Sequence, residues 1–138
     1  MSAAKVIDAV LEAPIAPSFT RIGYEARRRL FHWRDLDSYD LAGRVVVVTG
    51  ATSGLGRAGA EQLARDGATV VVVGRDAEKT ARVCGELRDE TGNLHVSGVV
   101  ADLGDLDSVR RAAAQILDDH DRLDVLVHNA GALTAQRF

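Results

Sequence analysis

The sequence predicts an α/β protein in which helices cover both faces of a doubly wound parallel sheet. Short apolar runs rich in valine alternate with helical segments four times from residue 41 onward, and the first of them is too short for a helix and too apolar to be exposed. Apolar residues make up 46% of the chain but aromatic residues only 4%, which suits a core of valine, leucine and alanine. Four β/α units joined by short connections indicate right-handed crossovers and the strand order 3-2-1-4.

The first two β/α units contain the most apolar strands. Val45–Val48 is predicted to be a strand buried on both faces, and helix formers with apolar residues predict a helix over about 55–66. The second strand is predicted over 68–74. Its helix is expected over 76–91, with Asp76 as the N-cap and a glycine after its last residue.

The next two units complete the predicted sheet. Strand three is expected over 95–101 with an interruption at Gly98, and strand four over 123–128. The helix between them, over 105–120, is expected to bury one apolar face. That predicted face consists of Leu106, Val109, Ala113, Ile116 and Leu117.

Residues 1–40 differ in composition and are predicted to form a helical leader before a domain at 41–138. A short helix is expected over 3–13 and a basic amphipathic helix over 18–33. The second helix can make a weak contact with an anionic membrane surface or a protein through residues 18–34, or its apolar stripe can cover an edge of the domain. The stripe consists of Phe19, Ile22, Ala26, Leu30 and Trp33, and the basic face of Arg21, Arg27, Arg28, Arg29 and Arg34 beside Glu25.

Composition excludes several classes of function. A net charge of −3 and a pI near 5.8 provide no electrostatic footprint for nucleic acid. Because no apolar run approaches the ~20 residues needed to span a bilayer and no signal peptide is recognisable, a reducing cytoplasmic setting is expected. Cys84 has no nearby histidine or second thiol and is predicted to be a packed thiol rather than a nucleophile or ligand, and no metal site is predicted.

A glycine-rich turn after the first strand predicts a pyrophosphate site. The pattern Thr49-Gly50-x-x-x-Gly54-x-Gly56 lets the backbone turn tightly and approach a ligand, and the unpaired amides and dipole of the following helix favour an anion. Gly54 and Gly56 with Gly59 also match G-x-G-x-x-G, but Gly50 follows the strand directly and therefore defines the register. The residues expected to contact the ligand here are Gly50, Thr52, Ser53, Gly54, Leu55 and Gly56.

This loop resembles the cofactor loop of the short-chain dehydrogenase/reductase family in its one-domain form. Two further motifs extend the resemblance over residues 41–131: Asp102-Leu103 after strand three, and His128-Asn129-Ala130-Gly131, which is similar to the family's Asn-Asn-Ala-Gly. The resemblance implies a Rossmann-type domain that binds NAD(P), with Asp102 and Leu103 at the adenine and Asn129, Ala130 and Gly131 beside the ribose. Asp102 can alternatively cap the next helix, although Asp105 can do so itself. No catalytic role is assigned to His128.

The end of strand two is expected to choose between the two coenzymes. An acid at this point usually holds the ribose of NAD, but here the residues are Gly74, Arg75 and Asp76. With Gly74 in the acid's place, Arg75 can bind a 2′-phosphate. In the resembled family, a basic residue just after this position is associated with binding of NADP. If instead Asp76 lies on the ribose, NAD is favoured; as a helix N-cap, Asp76 leaves NADP as the predicted cofactor.

The family's catalytic residues are not found in this sequence. The resembled family transfers hydride between nicotinamide and a carbonyl or secondary alcohol, using a Ser and a Tyr-x-x-x-Lys, but Tyr24 and Tyr39 precede the first strand and lack a lysine four residues later. The chain is therefore expected to be the N-terminal, cofactor-binding half of an NADP-dependent reductase, incomplete at its C-terminus. The alternative is a non-catalytic NADP-binding sensor or docking module. The leader is also similar to that of retinol-dehydrogenase-like and DHRS-type members.

Overall fold

The structure, a computed structural model, describes residues 21–31 and 39–131 of the chain. The chain divides between Tyr39 and Asp40 into two compact units. Of the first unit the structure describes helix α1 (Arg21–Leu30), which covers ten residues of the predicted 18–33 helix. The predicted 3–13 helix lies outside the described residues. None of the described helices combines the length and the apolarity that a bilayer crossing requires.

The second unit is built on a four-stranded parallel sheet in the order β3-β2-β1-β4, as predicted. Within residues 40–131 three helices alternate with the strands, and each element lies within two residues of its predicted bounds. The strands are β1 (Val45–Thr49), β2 (Thr69–Gly74), β3 (Val96–Val100) and β4 (Val125–Val127). The helices are α2 (Gly54–Arg65), α3 (Ala77–Thr91) and α4 (Leu106–Asp119).

The core has two apolar layers, one on each face of the sheet. Alternate valines of β1 and β2, such as Val46 and Val70, pack with residues of α2 and α3, including Leu87. The intervening valines, such as Val47, form the second layer with Ala112 of α4. Every residue of β1 is buried, which confirms the predicted burial on both faces.

Strand β3 is not interrupted by Gly98, so that prediction is wrong. Gly98 pairs in register with Val72 of β2. A Cβ at Gly98 would lie 2.8 Å from Cγ2 of Thr80 and 3.1 Å from Sγ of Cys84, so the glycine lets α3 approach the sheet. Cys84 is packed as predicted, and burial raises the pKa of its thiol.

The predicted apolar face of α4 is only partly correct. Val109 and Ile116 are half-buried as expected, whereas Ala113 is exposed and Leu106 and Leu117 are 69% and 67% exposed. The buried alanine of this helix is Ala112, which was not predicted. The reason is that α4 contacts the sheet at β3, along the line of Ala112 and Ile116. Within residues 39–131, no element covers the leucines on its other side.

An ionised aspartate holds the start of β4 against the start of β1. The Asp124 carboxylate accepts a hydrogen bond of 2.9 Å from Val45 N–H and pairs with Arg44 at 3.0 Å and with Arg122. Asp124 N–H in turn donates to the Val45 carbonyl at 2.9 Å. The Val45 hydrogen bond, followed by that from Arg122, lowers the pKa of Asp124 from 3.8 to about 2.

Asp124→Asn is expected to lower the thermal unfolding midpoint at pH 7, because the amide cannot pair with the two guanidinium groups. Since the folded-state pKa is depressed, this contribution is fully present above about pH 4 and is lost as the pH falls toward 2. Unfolding midpoints of wild type and variant, measured from pH 7 to pH 2, are therefore expected to converge in acid. Asp118→Asn, an exposed site on α4, is the control; a midpoint difference that stays constant with pH contradicts the assignment.

Candidate functional site

An open cleft of about 610 Å³ lies at the carboxyl ends of the strands. This is where ligands bind in open α/β sheets, at the point where the strand order reverses. The cleft brings together all but one of the residues predicted from sequence: Gly50, Thr52, Ser53, Leu55, Gly56, Arg75, Asp102, Leu103, Asn129, Ala130 and Gly131. The exception is Gly54, which shapes the turn with a φ of 56°. Gly74, expected in the place of a ribose-binding acid, also lines the cleft, as do four residues that were not predicted: Val73, Lys79, Ala101 and Gly104.

The turn after β1 is held close to the end of β4. Gly50 has a φ of 67°, in the left-handed region, and its N–H donates to the Val73 carbonyl at 2.9 Å. A Cβ on Gly50 would lie 2.8 Å from Cα of Ala130. Only glycine therefore satisfies both the backbone conformation and the approach of the neighbouring segment.

Gly56 meets a second close approach within the first turn of α2. A Cβ there would collide with Nδ2 of Asn129 and lie 2.5 Å from the Gly50 carbonyl oxygen. Gly59, by contrast, is exposed and has open space around its Cβ position. This geometry supports the register Gly50-x-x-x-Gly54-x-Gly56 rather than the G-x-G-x-x-G match that ends at Gly59.

A set of hydrogen bonds joins the ends of β1 and β4. The buried Thr49 hydroxyl donates to the Val127 carbonyl at 3.2 Å and accepts from the N–H groups of Asn129 and Ala130 at 3.1 and 3.2 Å. The Asn129 side-chain amide donates to the carbonyls of Thr49 and Gly50 at 3.2 and 3.3 Å. The Asn129 side chain and the Thr49 hydroxyl thus both hold the end of β4 against the end of β1.

Helix α2 begins at the cleft without a side-chain cap. Ser53 occupies the N-cap position but makes no capping hydrogen bond. The other two helices of this unit are capped: Asp76 accepts from Lys79 N–H at 2.8 Å and Asp105 from Asp107 N–H at 3.0 Å. The first-turn amides of α2 are therefore available to an anion.

Two cationic side chains line the cleft at the end of β2. Arg75 is exposed, and within the part of the chain that the structure describes neither its guanidinium nor the Lys79 ammonium has a hydrogen-bond or ion-pair partner. Lys79 lies four residues after Arg75, in the first turn of α3, and no sequence motif marks it. The Asp76 carboxylate is engaged in the helix cap, which supports its interpretation as an N-cap.

The end of β3 supplies an acid and an apolar side chain. Asp102 accepts from Gly104 N–H at 2.9 Å through Oδ1, and Asp105 rather than Asp102 caps α4. Leu103 is 45% exposed and Leu55 86% exposed, so both present apolar surface in the cleft. Leu55 does not contribute to the buried side of α2, which consists of Gly56, Ala60 and Ala64.

The strand order and the glycine-rich turn define a Rossmann-type α/β protein. The sequence profile of the family described as short chain dehydrogenase matches residues 44–138. The chain therefore belongs to the short-chain dehydrogenase family.

Individual relatives support this membership. Human retinol dehydrogenase 13 is 40% identical over 93 residues, which are 67% of this chain and 28% of that protein. Human dehydrogenase/reductase SDR family member 13 is 45% identical over 98 residues, 71% of this chain and 26% of that protein. The chain thus spans about a quarter of the length of these relatives. A short chain dehydrogenase from Escherichia coli CFT073, solved in complex with NADPH, has a TM-score of 0.64 and 35% identity, covering 72% of this chain and 41% of that one.

Gly56→Ala is expected to destabilise the domain by about 2 kcal/mol or more, because the added methyl collides with Asn129 and the Gly50 backbone. Gly59→Ala, in the same helix, is the matched control and is expected to be neutral or to stabilise by about 0.5–1 kcal/mol. Urea unfolding of both variants measures the difference. Equal effects at the two positions would refute the register that begins at Gly50.

Proposed function

We propose that residues 41–138 bind NADP as the cofactor domain of a short-chain dehydrogenase. The observation that carries the proposal is the pair of cations, Arg75 and Lys79, beside Gly74 at the end of β2, where no carboxylate of the described residues faces the cleft. A 2′-phosphate is the part of NADP that NAD lacks, and charge-assisted hydrogen bonds from a guanidinium suit it. Lys79 stands in the first turn of α3, where a cation opposes the helix dipole, and a bound anion would compensate for this.

The glycine turn fits the pyrophosphate of the same ligand. The close approaches at Gly50 and Gly56 leave backbone without side chains at the floor of the cleft. The uncapped amides at the start of α2 supply donors for a doubly charged group. The glycine turn therefore offers a pyrophosphate both room and hydrogen-bond donors.

The remaining contacts proposed for NADP follow the ends of β3 and β4. Asp102 can accept a hydrogen bond from the adenine amino group, since no described residue donates to its Oδ2, and the exposed Leu103 can pack on the ring. The Asn129 side chain lines the cleft and is hydrogen-bonded to the Thr49 carbonyl, while Ala130 and Gly131 leave room for a ribose. The NADPH complex of the similar Escherichia coli protein supports the choice of coenzyme.

We further propose that the whole protein transfers hydride between the nicotinamide and a small carbonyl compound or secondary alcohol. NADP supplies the hydride chemistry when bound. Within these 138 residues the positions four after Tyr24 and Tyr39 are Arg28 and Gly43, so the Tyr-x-x-x-Lys pair does not occur in them. The role proposed for these residues is therefore to bind and orient the coenzyme, and none of them is assigned the proton relay.

A second proposal concerns helix α1. Its last turn contains Arg27, Arg28 and Arg29, and Tyr24 and Phe31 beside it are 49% and 39% exposed. Arginines with exposed aromatic rings suit an anionic lipid surface. The proposed contact is weak and sensitive to salt.

Arg75→Ala is expected to weaken NADPH binding about tenfold to hundredfold and NADH binding much less, because only NADPH has the 2′-phosphate. Titration of the coenzyme's fluorescence with the protein measures both affinities. Arg82→Ala is the matched control, since Arg82 lies on α3, the helix that follows Arg75, but outside the cleft, and pairs with Glu86 at 3.6 Å. Equal losses for the two coenzymes in Arg75→Ala would contradict the proposed selectivity.

Replacing Arg27, Arg28 and Arg29 with glutamine is expected to abolish any flotation of the chain with anionic vesicles. Vesicles of neutral lipid serve as the control for the wild-type chain. If wild type and variant float equally with anionic vesicles, the membrane contact is refuted.

A further inference from the structure

The absence of a side chain at Gly74 is enforced by packing. Gly74 is the last residue of β2, at the place where an acid usually holds the ribose of NAD. A Cβ at this position would lie 2.6 Å from Cγ2 of Thr52 and would collide with Oγ1 of Thr80. Any residue other than glycine therefore requires both threonines to move.

Thr80 cannot easily move away. It is 2% exposed, and its hydroxyl donates to the Asp76 carbonyl at 2.6 Å. Its other branch, Cγ2, lies 2.8 Å from the Cβ position of Gly98 on the neighbouring strand. Any rotation about χ1 that moves Oγ1 away from Gly74 also moves it from its present position against the Asp76 carbonyl, so clearing the space over Gly74 disturbs that hydrogen bond.

Thr52 closes the same space from the other side. It belongs to the turn between β1 and α2 and lines the cleft. Its methyl group thus joins the glycine turn to the end of β2, while Thr80 joins that end to α3. Three segments of the domain meet over one glycine.

We propose that Thr52 and Thr80 are specificity-determining residues that commit the cleft to a 2′-phosphorylated coenzyme. They do so by keeping the end of β2 free of a side chain, so that no carboxylate can bind the ribose hydroxyl or repel a phosphate held by Arg75. This inference rests on the proposed function for the identity of the ligand. The packing of Thr52 and Thr80 against Gly74 does not depend on any ligand.

The packing is tested without any coenzyme. Gly74→Ala is expected to lower the thermal unfolding midpoint by roughly 4–10 °C in the wild-type background. In a Thr52→Ser/Thr80→Ala background, which removes Cγ2 and Oγ1, the same substitution is expected to change the midpoint by less than about 2 °C. A Thr52→Val/Thr80→Val background is the control, because it removes the hydroxyls but keeps the volume, and there the full loss is expected. Equal losses in all three backgrounds would overturn the inference.

Coenzyme preference is then measured by fluorescence titration with NADPH and NADH. Gly74→Asp alone is expected to give no gain in NADH affinity, whereas Gly74→Asp/Thr52→Ser/Thr80→Ala is expected to shift the NADPH-to-NADH affinity ratio toward NADH by at least about tenfold. A folded triple variant with an unchanged ratio, or a single variant that shifts as far as the triple, overturns the inference.

The two proposals fail in different ways. A wild-type chain that binds neither coenzyme overturns the proposed function, and the unfolding midpoints of the Gly74→Ala series still judge the packing. A wild-type chain that prefers NADPH, combined with a Gly74→Ala loss that Thr52→Ser/Thr80→Ala does not relieve, overturns the role of the threonines and leaves the proposed function intact.

Discussion

The contact between the glycine turn and the end of β4 is the constraint on which the site depends. Ala130 and Asn129 approach Gly50 and Gly56 so closely that no side chain fits at either glycine. The Thr49 hydroxyl and the Asn129 amide hold the two segments together with five hydrogen bonds. Because β4 pairs with β1 over only three residues, these polar contacts and Asp124 at the opposite end of the strand do much to position it.

A second close approach occurs at β2 and β3. Helix α3 begins above Gly74 and Gly98, and Thr80 lies over both. The helix is capped by Asp76, which brings Arg75 and Lys79 to the rim of the cleft. The packing of α3 on the sheet therefore also determines which side chains, Arg75 and Lys79, face the cleft.

Much of the fold could be predicted from sequence because the relevant signals are local. Four valines in β1, the Asp76 cap and the glycine after α3 each act through their own neighbours, and the predicted order of strands follows from general rules of connection. The errors concern neighbours distant in sequence. Gly98 was expected to interrupt a strand, yet it accommodates Thr80. The leucines of α4 were expected to be buried, yet the helix contacts β3 along another line.

In the candidate site, too, residues with a local sequence signal could be predicted and residues that depend on distant neighbours could not. Residues with a motif, such as Gly50 and Asn129, could be identified from sequence because their spacing is characteristic. Lys79 and Thr80 carry no motif, and their importance depends on which strand end they meet in three dimensions.

The Thr49 hydroxyl has one further consequence. A hydroxyl has one hydrogen to give and two lone pairs to share, and at Thr49 all three are occupied by Val127, Asn129 and Ala130. This oxygen therefore has no capacity left for a guest molecule, although it lies directly beneath the turn. At the turn itself the available donors are peptide groups, whose positions cannot change by a simple side-chain rotation.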